Sequence, residues 1–187
     1  MNLLSETEGE LAVKTARSFV ENAVIGENTD NEINLPEIFT EKRGVFVTLT
    51  EKGNLRGCIG YPYPVMPLSD AIKEAAVHAA VHDPRFEPVS GEELRDIIVE
   101  VTILTAPAVL EGDFLERPSK IKIGKHGLIA QKDSHSGLLL PQVATEYNWS
   151  AEEFLSQTCI KAGLQPNAWK DSECTILTFE GQIFTEK

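Results

Sequence analysis

Basic residues are in short supply. Seventeen lysines and arginines face 29 aspartates and glutamates, a formal net charge of −12, and no basic run occurs. A surface that tracks phosphates needs clustered cations to release counterions. Nucleic acid is therefore not an expected partner, and neither is an anionic membrane surface. Cysteine is scarce as well. Cys58, Cys159 and Cys174 are far apart, odd in number and without a CxxC pair, which argues against a disulfide framework and against a thiolate zinc cage. The opening MNLLSETEGE has neither a basic nor an apolar leader region, so no signal peptide is expected. No apolar run approaches the length of a membrane span. Together these absences point to a reducing cytoplasm. What remains is ordinary for a folded protein: 187 residues, 42% hydrophobic and 25% charged. That is enough for one domain with a sizeable core, or one domain folded as two lobes.

Ser5 and Glu8 spell a capping box. Apolar residues from Leu11 to Val24 follow at helical spacing, which predicts a helix over 6–24 closed near Gly26. NLPEIFTEKRG reads as a loop with room for one short helical turn. VFVTLT is rich in β-branched residues and predicts a strand at 45–50. EKGN is a four-residue connection to a second strand, LRGCIG, at 55–60. YPYPVMP cannot be regular, because each proline lacks an N–H and restricts the residue before it. Ser69 is read as the cap of a helix to about His82, whose alanines suggest close packing on a sheet. DPRF at 83–86 is a turn, and Ser90 with Glu93 a second capping box. IIVEVTILT at 97–105 is the strongest strand. Glu100, Thr102 and Thr105 interrupt its apolar run, so one face is expected to meet water or a cleft. Residues 121–132 read as a strand or strand pair broken between Gly124 and Gly127, and DSHSG as a turn. LLLPQV enters a short helix, and Ser150 with Glu153 caps another that stops at Gly163. Residues 174–184 are a final strand, or a hairpin turning at Glu180 and Gly181. This mixture predicts an α+β fold with a mainly antiparallel sheet and packed helices.

Chemistry concentrates in LRGCIG. Strand alternation puts Leu55, Gly57 and Ile59 on one face, and Arg56, Cys58 and Gly60 on the other. A guanidinium beside a thiol favours the thiolate. Gly57 and Gly60 let a ligand or another backbone come close. Cys58 is then a nucleophile with Arg56 gripping a carboxylate or phosphate, or a small hydrophobe packed in the core. His78 and His82 have a spacing that suits a metal pair. The HExxH glutamate is missing, no further histidine cluster completes a shell, and no metal site is assigned. Asp83 and Arg85 can tie their turn together, with Phe86 as its anchor. His126, flanked by glycine, can serve as an acid or base; the competing reading is an exposed turn histidine. Ser134 and Ser136 sit in no GxSxG setting. Trp169 reads as a loop anchor.

In chain order, LRGCIG at 55–60, DPRF with EP at 83–88, EELR leading into VEVTIL, KHGL at 125–128, LLPQV at 139–143, and KAGL with Trp169 resemble the AMMECR domain family. The resemblance runs from about residue 5 to 184. It implies a single domain over 1–187, an α+β fold in two lobes, and a cleft bordered by the LRGCIG segment. It implies no particular reaction. Members of this family occur alone or associated with Memo-like and radical-SAM proteins, and these are the possible pathway partners. Residue by residue, the match covers Arg56, Gly57, Cys58, Gly60, Asp83, Arg85 and Phe86, and leaves out His78 and His82. The expectation is a thiol enzyme for group transfer or hydrolysis on a small anionic or carbonyl-bearing substrate. Cys58 would be its nucleophile, Arg56 the electrostatic support, His126 the acid–base partner, and Gly57, Gly60, Asp83 and Arg85 would line the ligand. No cofactor is expected. The alternatives are a non-catalytic module that binds a ligand or protein, and a scaffold whose glycines admit a helix or loop.

Overall fold

The helix expected after Ser5 spans Glu6–Ile25 (α1) in the computed structural model, which describes residues 3–26 and 34–187. The Ser5 hydroxyl accepts from the Glu8 N–H, and the Glu8 carboxylate accepts from the Ser5 N–H at 2.7 Å. Both halves of the capping box are thus formed. Gly26 ends the helix with a left-handed φ of 76°. A hairpin of β1 (Val45–Glu51) and β2 (Asn54–Tyr61) follows. Its turn is Lys52 and Gly53, both at positive φ. This two-residue turn matches the twist of the strands, so the connection is tighter than four residues. The chain continues through α2 (Leu68–Val81), β3 (Ile97–Leu104), β4 (Ala108–Val109), α3 (Arg117–Lys120), β5 (His126–Lys132), β6 (His135–Leu139), α4 (Pro141–Glu146), α5 (Ala151–Lys161) and β7 (Thr175–Thr185). The strand pairings are antiparallel, and the fold is α+β. No helix among the described residues is long and apolar enough to cross a membrane.

Several local expectations are corrected. Ser69 does not cap α2, which begins at Leu68 after Pro67. The Leu68 N–H instead donates to the Glu41 carbonyl at 2.9 Å, so loop backbone holds the first turn. Ser90 makes half a capping box, its N–H donating to Glu93 Oε2, and a single 3-10 turn, Glu93–Arg95, follows. Residues 121–125 form no strand. The N–H groups of Lys125 and His126 both donate to the Lys122 carbonyl, and Gly124 takes a left-handed φ of 77°. His126 therefore opens β5 rather than standing in an exposed turn. His135 opens β6, because Asp133 at φ 53° closes the turn earlier than expected. β7 stays extended through Glu180 and Gly181, where Glu180 pairs with His126.

The chain forms two compact units: one runs to Thr105 and takes in Gln182–Lys187, the other is Ala106–Gly181. In the first, β1 lies between β2 and β3, and the end of β7 runs beside β3. Val45, Val47, Leu49, Val99, Val101 and Ile103 are buried in one cluster with Ala12, Ala16 and Val20 of α1 and the alanines of α2. The alternate residues Phe46, Thr48 and Thr50 on β1, and Ile98, Glu100 and Thr102 on β3, stay partly open. One sheet face thus carries both helices, and α1 and α2 leave the other uncovered. Arg17 fastens this unit. It pairs with Glu186 and donates to the carbonyls of Leu94 and Ile97, while the Glu186 N–H donates to the Val99 carbonyl at 2.9 Å.

In the second unit, β5 lies between β6 and β7, with β4 on β7. Phe154, Leu155 and Cys159 of α5 are buried in one core with Leu128, Ala130 and Ile176. Trp169 is buried as the expected anchor, its indole N–H donating to Ser156 Oγ at 3.1 Å.

Candidate functional site around Cys58

Cys58 lies midway along β2, half-buried, opposite Thr48. The Thr48 hydroxyl donates to its sulfur at 3.4 Å. Thr48 in turn faces Glu100 on β3, and the Thr185 hydroxyl donates to Glu100 Oε2 at 3.2 Å. Cross-strand partners share a face. A thiol, a hydroxyl and a carboxylate therefore form one row over three strands, on the face that α1 and α2 leave uncovered. Adjacent strands stand about 4.8 Å apart, so Glu100 and Cys58 are roughly 10 Å apart at the backbone.

β2 is the outer strand of its unit, so the outward N–H and C=O of Cys58 need partners other than β1. Asp83 and Arg85 supply them. Asp83 Oδ2 accepts from the Cys58 N–H at 2.9 Å, and Arg85 Nη2 donates to the Cys58 carbonyl at 2.9 Å. Arg85 also closes on Asp83, Nε to Oδ1 at 2.9 Å and Nη2 to Oδ2 at 2.7 Å. The two side chains thus replace one residue of an adjoining strand. Asp83 is 4% exposed, whereas the Arg85 side chain is 53% exposed. The Arg85 guanidinium holds the Asp83 carboxyl well below the usual carboxylate range, against the cost of burial and with help from the N–H groups of Cys58 and Arg85. Arg85 is held up in turn, first by Asp83 and also by the Cys58 thiol. The cation beside Cys58 is therefore Arg85.

Arg56 does not share the Cys58 face as alternation predicts. The register slips between Leu49 and Thr50: Leu49 faces Gly57, Thr50 faces Leu55, and Arg56 is the extra residue of a bulge. Its guanidinium leaves the sheet and meets the segment after α2. Nε donates to Glu93 Oε1 at 2.7 Å, Nη1 to the Glu87 carbonyl at 2.9 Å, and Nη2 to the Pro88 carbonyl at 3.3 Å. All three nitrogens are occupied, and Arg56 acts as a strut between β2 and the segment after α2. It holds the Glu93 carboxyl down to about 2, assisted by the Ser90 N–H. The Phe86 ring receives both cations, Arg85 at 5.5 Å and Arg56 at 6.0 Å from its centroid.

Both glycines of the motif are closely approached by other parts of the protein. A Cβ on Gly57 would lie 2.2 Å from the Ala79 carbonyl oxygen of α2. One on Gly60 would lie 2.3 Å from the Phe46 ring and 2.4 Å from the Val45 carbonyl oxygen. The two glycines, expected to line a ligand, seat a helix and an aromatic ring. Of the expected set, the structure brings Cys58, Asp83 and Arg85 together and turns Arg56 toward Glu93. His126 belongs to the second unit. There its Nδ1 accepts from the Lys122 N–H at 3.3 Å, its Nε2 lies 3.9 Å from Glu180, and burial pushes its pKa down. Thr48 and Glu93 were missed. Thr48 could have been found from its place in VFVTLT, where it alternates with buried valines. His78 Nδ1 lies 3.3 Å from the Tyr61 hydroxyl, and no cluster of three metal-binding side chains exists among the described residues.

A curated protein of Methanosarcina acetivorans is 54% identical over 190 residues, covering 99% of this chain and 94% of its own length. One of Methanothermobacter thermautotrophicus is 54% identical over 185 residues, covering 98% and 96%. The crystal structure of the uncharacterized protein PH0010 from Pyrococcus horikoshii superposes with a TM-score of 0.83 at 45% identity, covering 98% of this chain and 94% of that one. The AMMECR1 family model matches residues 13–184. The chain belongs to the AMMECR1 family.

Proposed function

We propose that the chain is a thiol enzyme that transfers or hydrolyses a group on a small carbonyl-bearing or anionic substrate, with Cys58 as its nucleophile. The observation that carries this reading is the clip of Asp83 and Arg85. It fixes the Cys58 backbone on both sides and leaves a half-exposed guanidinium on the Cys58 carbonyl. The Thr48 hydroxyl donates to the Cys58 sulfur, the kind of contact a nucleophilic thiol uses. The thiolate attacks a carbonyl carbon, forming a C–S bond as the carbonyl electron pair moves to oxygen. Collapse re-forms the carbonyl and expels the leaving group, which takes a proton from solvent. Water or another acceptor then attacks the thioester carbon, and the sulfur departs as thiolate. Glu100, in the same row, is the base that accepts the proton of that acceptor. Arg85 attracts an anionic portion of the substrate. Memo-like and radical-SAM proteins are the pathway partners this reading proposes.

A second reading is favoured by Arg56, Gly57 and Gly60, all three of which support the sheet. The motif then braces a binding surface, and Arg85 recognises an anion without thiol chemistry. Iodoacetamide alkylation, followed across pH by peptide mapping, separates the two readings. The enzyme reading expects Cys58 to react first among the three cysteines, about tenfold or more faster at pH 7 than a free-thiol peptide. A rate that follows the peptide at every pH removes it. The binding reading then predicts that Arg85→Ala weakens an anionic ligand while Cys58→Ser does not.

A further inference from the structure

His78 lies in the last turn of α2, and His82 caps that helix. The His82 N–H donates to the His78 carbonyl at 2.9 Å, so the backbone fixes one residue over the other. Their rings meet edge to face, with centroids 5.3 Å apart and planes at 72°. Imidazoles one helical turn apart and this close can hold one ion between their nitrogens. His82 is exposed and His78 half-buried, so the pair is open to solvent on one side. The Tyr61 hydroxyl lies 3.3 Å from His78 Nδ1. That contact engages one ring nitrogen and leaves Nε2 for a metal. With Nε2 on a metal, Nδ1 carries the ring hydrogen and donates it to the Tyr61 oxygen. An outer partner of this kind fixes the tautomer and the orientation of a metal-bound ring. The charge of the surroundings also favours a cation. The last carbonyls of α2 are the negative pole of the helix, and the exposed Glu74 stands one turn before His78 on the same face.

We propose that His78 and His82 form a two-imidazole site for a late first-row divalent ion, Zn²⁺ or Cu²⁺, with Tyr61 positioning His78. Imidazole nitrogen selects these ions over Mg²⁺ and Ca²⁺, which take oxygen ligands. Two histidines fill half of a four-coordinate shell and solvent fills the rest, so the ion exchanges freely. The site is separate from Cys58. Tyr61 and Ile59 pack against the core on the helix side of the sheet, whereas Cys58 pairs with Thr48 on the uncovered face. Neither site depends on the other.

The test titrates Zn²⁺ into the full chain and follows the heat of binding. Cys58→Ser serves as the parent, which removes the half-exposed thiol as a competing ligand. One saturable site per chain is the expected result, with no comparable heat from Mg²⁺. His82→Gln, an exposed substitution checked for folding by circular dichroism, should weaken binding by tenfold or more. His135→Gln, at the histidine that opens β6, should leave it unchanged. Tyr61→Phe keeps the ring and removes the hydroxyl, and should weaken Zn²⁺ by about tenfold, as loss of an outer partner does. A parent protein without saturable Zn²⁺ binding would overturn the site, as would Mg²⁺ binding of equal strength. Undiminished affinity in His82→Gln, or a loss in His135→Gln instead, would place the zinc elsewhere and overturn the pair. Undiminished affinity in Tyr61→Phe would overturn the positioning role of the hydroxyl.

Discussion

Asp83 receives hydrogen bonds from the Cys58 N–H, the Arg85 N–H, and Arg85 Nε and Nη2. Its removal does more than loosen a turn. Asp83→Ala strands the Cys58 N–H at a strand edge and releases Arg85 from its bidentate hold. The expected loss is about 2–4 kcal/mol, less than for a fully buried pair because Arg85 is half-exposed. Urea unfolding measures it, and a loss under about 0.5 kcal/mol would mean that the clip holds nothing. Asp83→Asn keeps the shape and should cost less. DPRF could be read as a turn tied by Asp83 and Arg85, which is what forms. Its reach to Cys58 could not, because that contact joins residues separated by the length of α2 and depends on how the helix returns the chain. The Arg56 role was illegible for another reason. A bulge has no mark of its own in LRGC, and one extra residue is enough to redirect a side chain.

At the scale of elements, legibility followed the range of the interactions. The capping boxes at α1 and α5 are local, and both form where Ser5 and Ser150 predict them. The Ser90 box is local too, but the Glu93 carboxylate is drawn to Arg56, a partner 37 positions away, and only one 3-10 turn follows. The alanines of α2 announced close packing, and Gly57 shows how close. With the Ala79 carbonyl 2.2 Å from any Cβ there, Gly57→Ala must push α2 off the strand. Overpacking of this kind costs about 1–3 kcal/mol, and backbone oxygen cannot rotate away as a side chain would. Thermal melts of Gly57→Ala should show a drop of several degrees, on the order of 2–4 °C per kcal/mol for a chain of this size. Alkylation of Cys58 should speed up as the strand loosens. A melting temperature equal to that of the wild type would contradict the seating of α2 on β2.

For the whole molecule, the acidic surplus and the hydrogen-bonded carboxyls together set the pH response. The carboxyls of Glu8, Asp83 and Glu93 in the first unit, and of Glu153 and Asp171 in the second, are all lowered by hydrogen bonds. A carboxyl held lower in the folded state than in the unfolded one adds stability above its unfolded value. That stability is lost as pH falls through the folded value. For Glu93 the window runs from 4.5 down to about 2, and for Asp83 it begins at 3.8 and extends lower. Glu93, 27% exposed at its side chain, accounts for at most about 2–3 kcal/mol after solvent screening. Between pH 7 and 5 the opposite trend acts. The net charge of −12 shrinks toward the sequence pI of 4.8, and self-repulsion with it. Stability should therefore hold or rise from pH 7 to 5, then fall steeply below pH 4. Melting temperatures across this range test it, with Asp83→Asn and Glu93→Gln flattening the acid limb. A limb of unchanged slope in both variants would show that these two carboxylates do not govern the acid transition. Added salt at pH 7 should raise the melting temperature, since it screens a repulsion spread over the surface more than it weakens the partly buried pairs of Arg56 and Arg85.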